Sequence, residues 1–231
     1  MARNVFVTGA GRGIGLSLVK HLLQQGECVW ATYRDADKAS ALLRLAEKNS
    51  NLTVEHLDVT DSDQLFVLSQ KWKHIPFDWI VNNAGVYGPK SVNFQDIKTS
   101  EWLDVLTTNT IAPYQVTRTF YANLLQGKER KLVFISSKMG SIEDNTSGGG
   151  YLYRSSKSAL NQIAKSLAID LSYDDVCVLA LHPGWVQTAM GGPNALIPSD
   201  VSASGLVTVI ECADLEASGQ FWNFDGSRIE W

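Results

Sequence analysis

The chain has 231 residues, 45% of them hydrophobic and 19% charged, with a net charge of -4, a balance that suits a globular protein and excludes a disordered one. The acidic surplus, and the lack of a basic stripe interleaved with aromatics, argues against a nucleic-acid partner. No apolar run approaches the length of a membrane span and a strand pattern begins at Asn4, so a cytoplasmic protein with no secretory leader and no membrane partner is expected. The length is that of one domain, expected to span residues 1–231. Cys28, Cys177 and Cys212 are scattered, as are the histidines, so reduced thiols and no metal are expected.

Seven β-rich runs alternate with helical patterns: Asn4 to Thr8, Cys28 to Thr32, Leu52 to Leu57, Asp78 to Asn82, Lys131 to Ser136, Val176 to Leu181 and Gln220 to Phe224. That alternation predicts an α/β fold, a Rossmann-type doubly wound sheet of seven mostly parallel strands with helices on both faces.

The first strand runs into Gly9-Ala10-Gly11-Arg12-Gly13-Ile14-Gly15 and then a helix with Leu16, Val19, Leu22 and Leu23 on one face. Glycines there let the backbone turn sharply and approach a pyrophosphate, whose charge the helix N-terminus meets. The second strand closes on Thr32 and Tyr33, with Arg34 next. Arg12 approaches the same corner, and two guanidiniums suit the 2′-phosphate of NADP(H) through bidentate bonds that a diol cannot match. Asp35 is the alternative: a register slip of one brings it to the ribose and weakens that preference. Asp58, at the end of the third strand, is placed to accept from an adenine amine, while Thr60 or Asp61 caps the next helix. The small residues in Asn82-Asn83-Ala84-Gly85 allow close approach of an adenosine, or simply end a strand.

A helix comes next, with Trp102, Leu103, Val105, Leu106 and Asn109, then Tyr114 to Leu124. Pro113 in its interior cannot donate to the Asn109 carbonyl, so a kink and a free carbonyl able to hold a water are expected. The fifth strand ends Ser136-Ser137, and side-chain alternation lets one of these hydroxyls face a substrate oxygen. Past a glycine-rich loop, Gly148 to Gly150, apolar residues at Leu160, Ile163, Ala164, Leu167, Ala168 and Leu171 mark an amphipathic helix. Its inward stripe extends back to Lys157 and Tyr153, one turn apart. The ammonium is expected to lower the phenol's pKa and ready it for proton transfer. Tyr151, a rival phenol, lies on another side of the helix. After the sixth strand, His182-Pro183-Gly184-Trp185-Val186-Gln187-Thr188 forms a compact turn with a free Thr188 hydroxyl suited to a nicotinamide amide, and His182 is expected to be a satisfied structural residue. Tyr87, Met139, Tyr151, Trp185 and Met190 flank these motifs, as pocket lining or as core. Ser155, Ser158 and Ala159, on the outer side of the helix, permit close packing against another copy.

Taken together, Thr8-Gly9 with Gly13 and Gly15, Asp58, Asn82 to Gly85, Asn109, Ser137, Tyr153 with Lys157, and Pro183-Gly184 with Thr188 resemble the short-chain dehydrogenase/reductase family over essentially the whole chain. The stretches Ser136 to Ile142, Tyr151 to Asn161 and Leu181 to Val186 are more narrowly similar to sniffer-type and C-factor-like carbonyl reductases. The resemblance implies a catalytic set of Asn109, Ser137, Tyr153 and Lys157. It also implies NADP(H) held by Gly9, Arg12, Gly13, Ile14, Gly15, Arg34, Asp58, Val59, Asn83, Ala84, Gly85, Tyr153, Lys157, Pro183, Gly184, Val186 and Thr188. The long separation from Ser137 to Tyr153 departs from the family pattern and leaves Ser136 and Ser141 as competitors of Ser137, which is preferred. The implied function is reduction of a small-molecule aldehyde, ketone or quinone by a homodimer or homotetramer. The alternatives are an NAD-linked alcohol dehydrogenase and a cofactor-binding signalling protein with little turnover.

Overall fold

The computed structural model of the chain describes residues 2–90 and 92–231. The strands are β1 (Asn4–Val7), β2 (Cys28–Tyr33), β3 (Leu52–His56), β4 (Trp79–Asn82), β5 (Lys131–Ile135), β6 (Cys177–His182) and β7 (Gln220–Asn223). Each lies within one residue, at either end, of the run that predicted it. They form one sheet in the order β3-β2-β1-β4-β5-β6-β7, with every pairing parallel. The helices are α1 (Gly13–Gln24), α2 (Ser40–Ala46), α3 (Ser62–Trp72), α4 (Thr99–Leu106), α5 (Ala112–Gln126), α6 (Tyr151–Asp170) and α7 (Ser199–Cys212).

Strand alternation sorts the core into two layers. On β1, Val5 and Val7 face Leu18 of α1, Leu42 of α2 and Leu206 of α7, whereas Phe6 faces Trp72 of α3, Phe120 of α5 and Leu160 of α6. Phe6 sits among three rings, with centroids 5.3 Å from Trp72, 5.4 Å from Phe77 and 5.0 Å from Phe120. Helices therefore cover both faces, as a parallel sheet requires. From β1 the chain winds outward to β3, then returns to pair β4 against the other edge of β1. Above the carboxyl ends of β1 and β4 the connections diverge, the position at which doubly wound sheets bind their ligands.

Two expectations are corrected. The segment around Asn109 is not a proline-kinked α-helix: Thr107–Ile111 is a π turn, closed by the Ala112 N–H on the Thr107 carbonyl. The π turn runs unbroken from α4 into α5, so Pro113 sits inside a continuous helix and its missing N–H leaves a carbonyl of the preceding turn without that donor. Nor do Ser155 and Ser158 face outward. The Ser155 hydroxyl accepts from Trp102 Nε1 of α4 at 2.8 Å, and Ser158 Oγ donates to the Gly140 carbonyl at 2.8 Å. These are contacts within the chain, and helical spacing alone does not reveal which neighbour covers a helix flank.

Phe6→Ala, in the fully buried ring cluster, is expected to destabilise the fold by about 3–5 kcal/mol, measured as a lower denaturation midpoint in urea with an unchanged slope.

Candidate active site

The glycine loop is built for close approach. Gly9 has φ +65°, and a Cβ there would lie 2.7 Å from Ala84 Cα; a Cβ on Gly15 would lie 2.5 Å from Asn83 Nδ2. Asn83 is why those spaces are filled. Its Nδ2 donates to the carbonyls of Thr8 and Gly9 at 2.9 and 3.0 Å, while Thr8 Oγ1 accepts from the N–H groups of Asn83 and Ala84 at 3.0 and 3.1 Å. The loop after β4 is thus tied to the loop after β1. At the start of α1, Arg12 makes no capping bond and the first turn has no acidic residue, so its N–H groups and the positive end of the helix dipole are available to an anion. Ile14 packs on the α1 side of the core.

Arg12 and Arg34 are exposed, and among the described residues neither guanidinium has a hydrogen bond or ion pair. Asp35 is committed elsewhere: it accepts from the Asp37 N–H at 3.1 Å and pairs with Lys38. Asp58 Oδ1 accepts from both Thr60 N (3.0 Å) and Thr60 Oγ1 (2.7 Å), Val59 is buried, and Asp61 rather than Thr60 caps α3.

At the carboxyl end of β5 the three competing serines separate. Ser136 Oγ is buried and donates to Asn161 Oδ1 at 2.5 Å; Ser141 Oγ accepts from the Asp144 N–H at 3.1 Å. Ser137 Oγ accepts from the Met139 N–H at 3.2 Å, which leaves its proton free to be donated, and it lies close enough to the Tyr153 phenol to oppose the rise of that group's pKa. Tyr153 and Lys157 are both buried on α6, whereas Tyr151 is 45% exposed. Lys157 Nζ donates to the Ile135 carbonyl at 2.8 Å. A Cβ on Gly85 would lie 3.7 Å from that ammonium and 3.3 Å from Asn109 Oδ1, so glycine keeps the space between them open. The Asn109 side chain accepts from Val86 N and donates to Val86 O, both at 2.8 Å, and also donates to Ser156 Oγ at 3.0 Å. It holds the loop after β4 against α6.

Spacing alone misleads on the phenol's acidity. Burial pushes Tyr153 up to about 12, with the Ser137 hydroxyl acting in the opposite direction and the Tyr87 phenol adding to the rise. Burial lowers Lys157 to about 8. The ammonium is 5.8 Å from the Tyr153 ring centroid and bonds to a backbone carbonyl instead of the phenol, so desolvation outweighs their mutual effect.

Tyr87 stacks on Tyr153, with centroids 4.8 Å apart and planes at 26°. Lys90, which nothing in the sequence singled out, donates to the Met190 carbonyl at 3.1 Å and links the loops after β4 and β6. A Cβ on Gly150 would lie 3.0 Å from Met139 Cε and 3.6 Å from Tyr87 Oη. Of the five flanking residues, Tyr87 and Met139 therefore gather near the phenol; Tyr151, Trp185 and Met190 are exposed, and Trp185 donates to the Gly191 carbonyl.

In the loop after β6, the Pro183 carbonyl accepts from Ser202 Oγ at 2.6 Å, Gly184 has φ +83° and buried Val186 pairs with Ile197. Thr188 meets the glycine loop, its methyl 3.2 Å from where a Gly13 Cβ would stand. Its hydroxyl is not free: it donates to the Val186 carbonyl at 3.3 Å and accepts from the Gly191 N–H at 3.1 Å. His182 is not satisfied by the described residues either, for its buried Nδ1 has no hydrogen-bond partner among them, and burial pushes its pKa down to about 4. Among the described residues there is no metal-binding cluster and no helix long and apolar enough to cross a membrane.

The family model for short chain dehydrogenase matches residues 3–195. The chain belongs to this family. This short-chain dehydrogenase is 39% identical over 156 residues to the C-signal of Myxococcus xanthus, covering 68% of the chain and 93% of that relative. Its fold superposes on the carbonyl reductase Sniffer of D. melanogaster with a TM-score of 0.95, at 34% identity over the whole of both chains. The NADPH-bound carbonyl reductase from chicken fatty liver superposes with a TM-score of 0.93, at 32% identity over 100% of this chain and 99% of that one.

A buried lysine lowered to about 8 costs stability wherever the unfolded chain would hold that proton and the folded chain resists it. The unfolded state binds more protons between about 8 and the ordinary lysine value, so this cost shrinks as pH rises through that window. Lys157→Met is therefore expected to melt above the native protein at pH 7, with the gap narrowing toward pH 10, in calorimetric scans across pH.

Proposed function

We propose that this short-chain dehydrogenase is an NADPH-dependent carbonyl reductase that delivers hydride to an aldehyde, ketone or quinone, with Tyr153 as general acid. The observation that carries the reading is a buried phenol beside the buried Ser137 hydroxyl, one helical turn from buried Lys157. Carbonyl reductases among the solved structures at over 30% identity support the reaction class.

The cleft suits a phosphorylated dinucleotide. The uncapped start of α1 fits a pyrophosphate, and the unpaired guanidiniums of Arg12 and Arg34 fit a 2′-phosphate, with Asp35 occupied by Lys38. Gly9, Gly13, Ile14, Gly15, Asp58, Val59, Asn83, Ala84 and Gly85 would line the adenosine and pyrophosphate side. Pro183, Gly184, Val186 and Thr188 would line the nicotinamide side, Thr188 through its backbone because its hydroxyl is engaged. When bound, the cofactor supplies the hydride that adds to the carbonyl carbon.

Tyr153 gives its proton to the carbonyl oxygen as the hydride arrives, so the product is an alcohol. Ser137 donates a hydrogen bond to that same oxygen as its charge develops. Lys157, lowered to about 8, exchanges protons readily near neutral pH, which suits it to recharge the phenol and to hold the nicotinamide ribose. Asn109 sits beside it across Gly85, and its carbonyl would anchor the water that leads to solvent. The same reading takes residues 1–231 as one cytoplasmic domain in a homodimer or homotetramer, with exposed Leu103, Ile111 and Tyr114 along α4 and α5 as the apolar surface available for association.

A second reading, a cofactor-binding signalling protein with little turnover, is favoured by the identity to C-signal. The buried Tyr153–Lys157 pair weighs against it, because binding alone has no use for two desolvated titratable groups.

In the reductase, Tyr153→Phe is expected to lower kcat by about 10²–10⁴ while cofactor binding persists, measured by steady-state kinetics and cofactor fluorescence. A variant as active as the native protein contradicts the assignment. Arg12→Ala with Arg34→Ala is expected to raise KM for NADPH by about 10–100-fold and to leave KM for NADH nearly unchanged.

A further inference from the structure

Asn161 lies one turn beyond Lys157 and two beyond Tyr153 on the buried face of α6, and is 3% exposed. Its Oδ1 accepts from Ser136 Oγ at 2.5 Å, and its Nδ2 donates to the Gly140 carbonyl at 3.3 Å. Ser136 immediately precedes Ser137; Gly140 closes the 3-10 turn on its other side. One amide thus grips the chain on both sides of Ser137. β5 ends at Ile135, and the last sheet-like bond runs from the Ser136 N–H to the Leu181 carbonyl at 2.7 Å. Ser137 therefore lies beyond the ladder that would otherwise fix it.

The 3-10 turn rests directly on the helix. A Cβ on Gly140 would lie 2.8 Å from the Lys157 carbonyl carbon, and the Gly140 carbonyl also accepts from Ser158 Oγ at 2.8 Å. The distance from the Ser137 hydroxyl to the phenol depends on how this turn is attached to α6, and Asn161 is the attachment that spans both of its ends. We propose that Asn161 is a positioning residue that holds the Ser137 hydroxyl in register with Tyr153 for proton delivery to the carbonyl oxygen. The proposal rests on the carbonyl reductase reading of this site. It also explains how the long insertion between Ser137 and Tyr153 is tolerated: the register is set by a strap from the helix and not by the length of the connecting loop. Misplacement of a catalytic group by about 1 Å suffices to cost about 10²-fold in rate.

The test is a double-mutant cycle between Asn161→Ala and Ser137→Ala. Asn161→Ala alone is expected to lower kcat about 10–100-fold, with KM for NADPH unchanged. In the Ser137→Ala background it is expected to add less than about a twofold further loss. Losses that multiply in full show that Asn161 acts elsewhere and overturn the proposal. A second readout needs no turnover: in protein carrying 13C at tyrosine Cζ, the Tyr153 resonance is expected to move in Ser137→Ala and to move in the same direction in Asn161→Ala. An unmoved Tyr153 resonance in Asn161→Ala overturns the proposal even if rates fall. Should the native protein reduce no carbonyl at all, this spectroscopic comparison still decides the positioning role while the reductase reading fails separately. Should Asn161→Ala fail to fold, Ser136→Ala, which leaves the Gly140 attachment in place, is carried through the same cycle and the same spectrum with the same two outcomes.

Discussion

Three polar side chains, Tyr153, Lys157 and Asn161, stand one turn apart on the core-facing stripe of a single helix, and each must find a partner in the interior. Burial without one costs about 1–3 kcal/mol for each neutral group and more for a charge. The groups that meet them all come from the carboxyl end of β5 and the turn after it: the Ser137 hydroxyl beside the phenol, the Ile135 carbonyl bonded to the ammonium, and Ser136 with Gly140 bonded to the amide. Satisfying the helix therefore fixes a strand end and a turn against it. The geometry that would serve catalysis is the same geometry that prevents three buried polar groups from being orphaned.

The opposite wall of the cleft obeys the same logic with backbone groups. Asn83 and Thr8 exchange bonds across the ends of β1 and β4, so the glycine loop and the Asn82–Gly85 turn form one unit. Asn109 extends that unit to α6 by pairing both ways with the Val86 backbone and reaching Ser156. A residue singled out for its backbone carbonyl also serves, through its side chain, as a brace between the two halves of the site. Groups without a partner among the described residues are informative in the same terms: the start of α1 and the guanidiniums of Arg12 and Arg34 are left open to an anion.

The sheet was legible because alternating β-rich and helical periods leave little choice of topology, and the glycine motif because only glycine fits 2.7 Å from Ala84 Cα. Tyr153 and Lys157 were legible as an inward pair from helical spacing alone. The direction of the phenol's pKa was not, since spacing reports proximity and says nothing of desolvation. Ser137 could not be separated from Ser136 by alternation, because β5 ends just before them and the 3-10 turn at Lys138–Gly140, not the strand, orients the Ser137 hydroxyl. The roles of Asp35 and Thr188 turned on partners three residues on, Lys38 and Gly191, which loop conformation and not periodicity brings round, and that of Ser155 on Trp102, 53 residues away. Asn161 left no local signal: a lone asparagine in a helix is ordinarily a surface residue, and its meaning comes from a strand end 25 residues earlier.

The central claim is that hydride passes to a carbonyl carbon in this cleft, and isotope transfer tests it most directly. The native protein is incubated with an aldehyde, a ketone or a quinone and NADPH deuterated at its transferable position. The expected product is an alcohol or hydroquinone accompanied by oxidised cofactor, with deuterium on the carbinol carbon of the aldehyde and ketone products. No product from any of the three classes, or carbinol hydrogen drawn only from solvent, would contradict it.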